Sequence, residues 1–270
     1  MKTVVITGST RGLGYELAKQ FRSHDFNIVI SGTKEETVHK AIEKLNQING
    51  SGKVCGLKCN VSVLSEVEAL AAFAKENCGQ IDIWINNAGV NQSYRYAWEI
   101  EEKELDLLLG VDLKGTINGS NTAMKVMIKQ GFGAVYNVEG MGSNDAFQPC
   151  FAVYGTTKRA VTYFTDALAN EIKEKKLPII VGKLSPGIMI TDFLTSAGGQ
   201  QGSTQLTDKT KKVYNILGDY PDVIAEYLAA KILLNQKNGI RISWLTNKKA
   251  ALRFMGSKWN KRDFFSEKHG

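Results

Sequence analysis

A chain of 270 residues that is 43% hydrophobic and 23% charged can bury a core, as one large α/β domain or two small ones. No apolar run reaches the roughly 18 residues a membrane-spanning helix needs. A strand-like run from Lys2 leaves no room for a secretory leader, so a cytoplasmic chain with reduced thiols is expected. The net charge of +7 is uneven: residues 237–270 carry nine Lys and Arg against Asp263 and Glu267, so the tail alone supplies the excess.

Residues 2–7 form a β-branched run that ends at glycine. Residues 12–24 follow, with Leu13, Leu17, Ala18 and Phe21 at helical spacing. Residues 27–33 predict a second strand, 34–48 a helix with its charges outside, and 53–61 a third strand that buries Cys55 and Cys59. A third helix over 64–79 stops at Gly79, and a fourth strand covers 81–89. The region 101–130 predicts a long helix broken between Gly110 and Gly119. A fifth strand (133–138), a long helix (152–175), a sixth strand (178–187), a helix (221–235) and a seventh strand (239–246) complete the pattern.

Strands that alternate with helices and are apolar throughout predict a parallel sheet covered on both faces. The expected fold is a Rossmann-type, doubly wound α/β sheet of about seven strands, as a single domain over 1–246 with a basic extension over 247–270. The four cysteines lack paired metal-ligand spacing, so no metal is expected. Residues 193–220 break the pattern: they are polar, partly glycine-rich, and follow a strand end. Ligands of doubly wound sheets bind outside the carboxyl ends of the strands, so this stretch is either a lid over a substrate or a surface loop.

The first strand runs into "TGSTRGLG", with Gly8, Gly12 and Gly14 just before the first helix. Glycines there let the backbone approach a pyrophosphate at the helix N-terminus. Gly8, Thr10, Arg11, Gly12, Leu13 and Gly14 are the expected contacts. An NAD site usually has a carboxylate at the end of the second strand. That strand ends here in Ser31, Gly32, Thr33 and Lys34, with no acid before Glu35. Without that repulsion, and with Arg11 and Lys34 as cations, the site predicts NADP(H).

The glycine loop, Asn86-Asn87-Ala88-Gly89, Tyr154-x-x-x-Lys158 and Ser185-Pro186-Gly187 occur in this order over residues 1 to about 245, and the chain resembles the short-chain dehydrogenase/reductase family. The resemblance implies that Asn87, Ala88 and Gly89 line the adenosine ribose side. It implies that Asn60 and Val61 contact adenine, and that Pro186, Gly187 and Thr191 hold the nicotinamide carboxamide. Asn60 stands where the family commonly has Asp, and its acceptor is expected to serve adenine as well. Residues 137–143 ("NVEGMGS"), 185–194 and 220–255 are closer still to the chlorophyll b reductase branch. That likeness implies reduction of a carbonyl on a bulky, lipophilic substrate. The family resemblance also implies a homodimer or homotetramer built through the 101–130 and 152–175 helices.

Tyr154 and Lys158 are i and i+4, neighbours on a helix surface. A phenol titrates near pH 10, too high for proton traffic near neutrality, and an ammonium beside it favours the phenolate. The pair is either an exposed surface contact or, with the other motifs, the general acid–base and its ribose-binding partner. The family's serine usually lies about 12 to 14 residues before the tyrosine, where Gly142, Met141 and Gly140 stand. Ser143, on a glycine-flanked loop, is the expected replacement; the alternative is that Tyr154 alone polarises the carbonyl. Asp112 occupies the place of a family asparagine whose backbone carbonyl holds a proton-relay water; a buried Asp112 carboxylate would instead pair with Lys158 and weaken its effect on Tyr154.

Tyr94, Tyr96, Trp98, Phe147, Pro149, Cys150, Phe151, Phe193 and Leu194 fall near the strand ends. They suit a planar apolar ligand, or serve as core and oligomer contacts. The tail mixes Trp244, Leu252, Phe254, Met255 and Trp259 with basic residues. It reads as an interfacial segment making peripheral membrane contact, as a cover for the pocket or a neighbouring subunit, or as a solvated helix. With the enzyme motifs in place, no nucleic-acid partner is expected.

Overall fold

The computed structural model describes residues 1–195, 206–257, 259 and 262–265. The elements run β1 (Thr3–Ile6), α1 (Gly12–Arg22), β2 (Asn27–Gly32), α2 (Glu35–Asn46), β3 (Val54–Lys58), α3 (Leu64–Cys78), β4 (Ile83–Asn86) and α4 (Glu102–Leu108). A turn of π-helix (Leu109–Lys114) leads into α5 (Gly115–Gln130), β5 (Gly133–Val138), α6 (Ala152–Glu174) and β6 (Ile179–Ser185). Then come α7 (Asp208–Leu217), α8 (Pro221–Leu234), β7 (Arg241–Ser243) and α9 (Asn247–Gly256).

All neighbouring strands are parallel, in the order β3-β2-β1-β4-β5-β6-β7. The chain lays β2 and β3 to one side of β1, then reverses to place β4 on the other. That reversal opens a crevice at the carboxyl ends of β1 and β4. Side chains alternate across the pleat. Val4, Ile6, Ile28 and Ile30 face Leu17 and Phe21 of α1 and Leu228 of α8. Val5, Val29 and Trp84 face Leu70 of α3 and Met127 of α5. Truncating a ring as buried as Phe21 to alanine costs about 3–5 kcal/mol.

Two spans differ from the sequence expectation. The break in the 101–130 helix is confined to Leu109–Lys114, and α5 runs straight through Gly119. Gly119 allows α5 to press on β4: a Cβ there would lie 1.9 Å from Asn86 Oδ1. The polar stretch 193–220 holds a 3-10 turn (Asp192–Thr195) and the helix α7, capped by the Thr207 hydroxyl, which accepts from Thr210 N–H at 3.2 Å. The middle of that stretch, 196–205, lies outside the described residues.

A buried polar chain ties the centre together. Trp84 Nε1 donates to Asn86 Oδ1 (2.8 Å), Asn86 Nδ2 to Asn137 Oδ1 (2.8 Å), and Asn137 Nδ2 to Thr165 Oγ1 (2.9 Å). It joins β4 and β5 to α6, which carries Tyr154 and Lys158.

Candidate active site

The dinucleotide-side residues assemble at the crevice. Gly8 has φ +60°, and a Cβ there would come within 2.7 Å of Ala88 Cα. Only glycine combines that backbone conformation with that approach. The Asn87 amide donates to the carbonyls of Thr7 (3.0 Å) and Gly8 (2.9 Å), and Thr7 Oγ1 accepts from Asn87 N–H and Ala88 N–H. The β1 and β4 exits are thereby fixed to each other. Leu13 turns its side chain into the core, so its backbone is what faces the loop. The first turn of α1 contains no acid, and its leading N–H groups have no helical partner.

The end of β2 is zipped to the same loop. Ser31 N–H donates to Ser9 Oγ (3.0 Å) and Ser9 N–H to the Ser31 carbonyl (2.8 Å), while the Thr10 methyl lies against Gly32. The Ser31 hydroxyl is buried without a partner. Arg11, Thr33 and Lys34 are exposed. Glu35 and Glu36 turn along α2, to His39 (3.8 Å) and Lys40 (2.6 Å). This crevice fits a dinucleotide: the glycine backbone and the helix N-terminus suit a pyrophosphate, and no free carboxylate stands at the β2 end.

Asn60 differs from expectation. Its Oδ1 already accepts from Ser62 N–H (3.1 Å) and Ser62 Oγ (2.9 Å), so the acceptor that the resemblance assigns to adenine is used internally. Val61 is buried against Gly115, and its carbonyl accepts from Asn118 (2.9 Å). Pro186 and Gly187 follow β6, and Thr191 opens the 3-10 turn by accepting from Leu194 N–H at 3.0 Å.

Tyr154 and Lys158 stand one turn apart on α6, both buried, with Lys158 Nζ 5.5 Å from the phenol ring centroid. Asp112, in the π turn, is fully buried. Its Oδ1 accepts from Val90 N–H (2.8 Å) and lies 3.9 Å from Lys158 Nζ, so the carboxylate pairs with the lysine. Its backbone carbonyl, the expected relay point, accepts from Thr116 Oγ1 at 2.8 Å. Burial pushes the Asp112 carboxyl up, and the Lys158 ammonium only partly reverses this. Burial also pushes the Tyr154 phenol up, and the Asp112 charge adds to the rise.

Ser143 is buried but not aimed as expected. Its hydroxyl accepts from Gly140 N–H (3.2 Å) and donates to the Lys158 carbonyl (3.2 Å), which commits its one proton to backbone. Gly140 is the residue that abuts the phenol: a Cβ there would lie 2.3 Å from the Tyr154 oxygen. The loop is held by charge. Glu139 Oε1 accepts from Thr162 (2.8 Å) and Arg241 (2.7 Å), and Arg159 donates to the Ser143 carbonyl (3.1 Å).

Aromatic rings surround the phenol. Tyr154 is 6.0 Å from Phe151 and 6.3 Å from Phe193, and Phe151 is 6.5 Å from Tyr94 (centroid distances). Tyr96 and Trp98 stack at 4.9 Å further out. Phe147 is 83% exposed and lines a groove of about 590 Å³ together with Met141, Phe151 and Tyr163.

Two residues have no signature in the sequence. Gln92 Oε1 accepts from Tyr154 N–H (2.9 Å) while its Nε2 donates to the Cys150 carbonyl (2.8 Å). Asn91 Nδ2 donates to the Phe193 carbonyl (3.0 Å). Both are buried and fix the first turn of α6, which carries Tyr154, and the Phe193 segment to the β4 exit.

The short chain dehydrogenase family model matches residues 2–202. The chain is 36% identical over 232 residues to the chlorophyll(ide) b reductase NOL of Arabidopsis thaliana, covering 85% of this chain and 64% of that protein. It is 37% identical over 232 residues to the counterpart in Oryza sativa subsp. japonica, covering 85% of this chain and 66% of the relative. The fold is similar to that of the 3-ketoacyl-(acyl-carrier-protein) reductase from Brucella melitensis solved with NADH, with a TM-score of 0.77 at 23% identity, over 92% of this chain and 98% of that one. The chain belongs to the short-chain dehydrogenase/reductase family of oxidoreductases, near its chlorophyll(ide) b reductase branch.

Proposed function

We propose that this protein is an NADP(H)-dependent oxidoreductase that reduces an aldehyde or ketone on a bulky lipophilic substrate. The observation that carries the reading is the buried Tyr154–Lys158 pair at the crevice, with Phe151, Phe193 and Tyr94 around the phenol. A bound nicotinamide cofactor would supply the hydride. Tyr154 gives its proton to the carbonyl oxygen in reduction and takes it back in oxidation. Lys158 holds positive charge beside the phenol and toward the cofactor ribose. Arg11, Thr33 and Lys34 receive the 2′-phosphate, supported by the absence of a free acid there. The aromatic wall suits a flat apolar ligand, and the relatives named chlorophyll(ide) b reductases point the same way. Exposed Ile128 and Tyr163 on α5 and α6 support a homodimer or homotetramer through those helices.

A second reading has its own support. Ser143 spends its hydroxyl on backbone, and Asp112 competes for Lys158, which suits a protein that binds NADP(H) without turnover.

The test follows NADPH consumption against lipophilic aldehydes and ketones, including formyl tetrapyrroles and steroids, with Tyr154→Phe alongside. The reductase reading expects turnover that Tyr154→Phe lowers by about 10²-fold or more. NADPH binding without turnover on the whole panel favours the sensor.

A further inference from the structure

Asp219 lies between α7 and α8, is 8% exposed, and works with two different parts of its structure. Its backbone bridges the strand-like segment after Gly187. Ile190 N–H donates to the Asp219 carbonyl (3.0 Å), and Asp219 N–H donates to the Ile188 carbonyl (3.1 Å). Its carboxylate collects three donors: Trp244 Nε1 (2.6 Å), Arg253 (2.6 Å) and Arg262 (3.0 Å). Arg253 comes from α9, and Arg262 lies beyond it.

The segment so held, 188–190, sits between Gly187 and Thr191, the two points that should meet the nicotinamide. It is supported from a second side. Trp244 N–H donates to the Ser185 carbonyl (3.0 Å), and Gly187, at φ +74°, lies against Leu245. The extension also grips α7. Arg253 donates to the Leu217 carbonyl (3.0 Å), Arg262 to the Ile216 carbonyl, and Phe264 N–H to Asn215 Oδ1 (2.9 Å). Phe264 packs edge-on against Tyr220 at 5.0 Å.

Apolar contact would suffice to attach a tail. Charge-assisted bonds of fixed direction add register, and a partly buried carboxylate with two guanidiniums is a costly way to obtain anything less. Burial pushes the Asp219 carboxyl up, but the bonds from Arg253 and Trp244 and the two guanidinium charges more than reverse this. Two cations of the basic tail are thus spent inside the molecule.

We infer that Asp219 is a positioning residue through which the C-terminal extension, by Arg253 and Arg262, sets the place of residues 188–191 against the nicotinamide end of the cofactor. The inference rests on the NADP(H) reading above. It makes the extension a working part of the cofactor site.

The experiment is amide hydrogen exchange on the full chain, without cofactor, for wild type, Arg253→Ala/Arg262→Ala and Arg253→Lys/Arg262→Lys, paired with NADPH titration and thermal unfolding of each. In the alanine variant, exchange at Ile190 should quicken about tenfold and NADPH affinity should fall about tenfold, while β1 and β5 amides keep their protection. The lysine variant should recover part of both. A purely structural tie would lower the unfolding midpoint of the alanine variant and leave NADPH affinity and Ile190 exchange at the wild-type values; that result overturns the inference. If the double alanine variant does not fold, Arg262→Ala alone carries the same readings. Failure of the wild type to bind NADPH would instead sink the cofactor reading, and exchange at Ile190 would still decide whether the extension holds the segment.

Discussion

The Asp112 carboxylate lies 3.9 Å from the Lys158 ammonium, with both side chains buried, so the lysine is shared between a carboxylate and the Tyr154 phenol. Burial raises the phenol's pKa, and the Asp112 charge raises it further. In the alcohol-oxidising direction Tyr154 must be unprotonated, so the rate climbs as pH rises through the phenol's pKa. Asp112→Asn removes the charge and keeps an acceptor for Val90 N–H. The phenol's pKa then falls, and the rising limb of kcat/KM for alcohol oxidation moves to lower pH. A pH profile of the two proteins on one alcohol checks this; a limb that stays put or moves upward contradicts it.

Ser143 and Gly140 divide the serine question between them. Ser143→Ala removes the acceptor of the Gly140 N–H, while the Lys158 carbonyl keeps the Thr162 hydroxyl as a donor. The expected cost is about 1–3 kcal/mol of stability, with turnover little changed. A serine acting as the substrate's donor would lose about 10²–10³ in rate instead. Gly140→Ala drives a Cβ to 2.3 Å from the phenol oxygen and displaces it. A displacement of that order costs about 10²-fold in turnover. Unfolding midpoints and kcat measured together for both variants separate these outcomes.

The strand–helix alternation, the glycine loop and the Tyr154–Lys158 pair were legible because each rests on local periodicity or spacing. Helix α7 was missed although its signal was present: Thr207 as cap and Asp208 in the first turn. Glycine richness just upstream masked it. Gln92, Asn91 and Asp219 were not legible at all. A buried polar side chain has the same local signature as an exposed one, and only its distant partner distinguishes them. Gln92 meets Tyr154 across 62 residues and Asn91 meets Phe193 across 102. The direction of the Ser143 hydroxyl was illegible for a related reason: spacing placed the residue on the loop before Tyr154, but a backbone donor within the loop, Gly140 N–H, and a backbone acceptor on α6, the Lys158 carbonyl, hold its hydroxyl.

Gln92→Leu tests how far Tyr154 depends on its clamp. The variant keeps the volume but strips the acceptor from Tyr154 N–H and the donor from the Cys150 carbonyl. Each buried group left unpaired costs about 1–3 kcal/mol. The first turn of α6 loosens, and kcat should fall more than the affinity for NADPH, because Gln92 touches the tyrosine's backbone and not the glycine loop. Equal losses in both would mean that Gln92 only supports the fold.

Selectivity between the two nicotinamide cofactors should reside at the β2 end. Arg11 is exposed at the start of α1, and Glu35 and Glu36 are turned along α2 toward His39 and Lys40. A charge-assisted bond to a 2′-phosphate contributes about 1.5–3 kcal/mol, so Arg11→Ala should weaken NADPH roughly ten- to a hundredfold and leave NADH almost untouched. Because the site is open to solvent, added salt should narrow the wild type's preference for NADPH. Thr33→Asp goes the other way. It places a carboxylate where none stands, repelling a 2′-phosphate while offering the ribose hydroxyls an acceptor. Fluorescence titration of both cofactors against the three proteins should therefore give a preference for NADPH in the wild type, little preference in Arg11→Ala, and a reversed one in Thr33→Asp. A wild type that binds NADH as tightly as NADPH would remove the basis for assigning Arg11 and Thr33 to the phosphate.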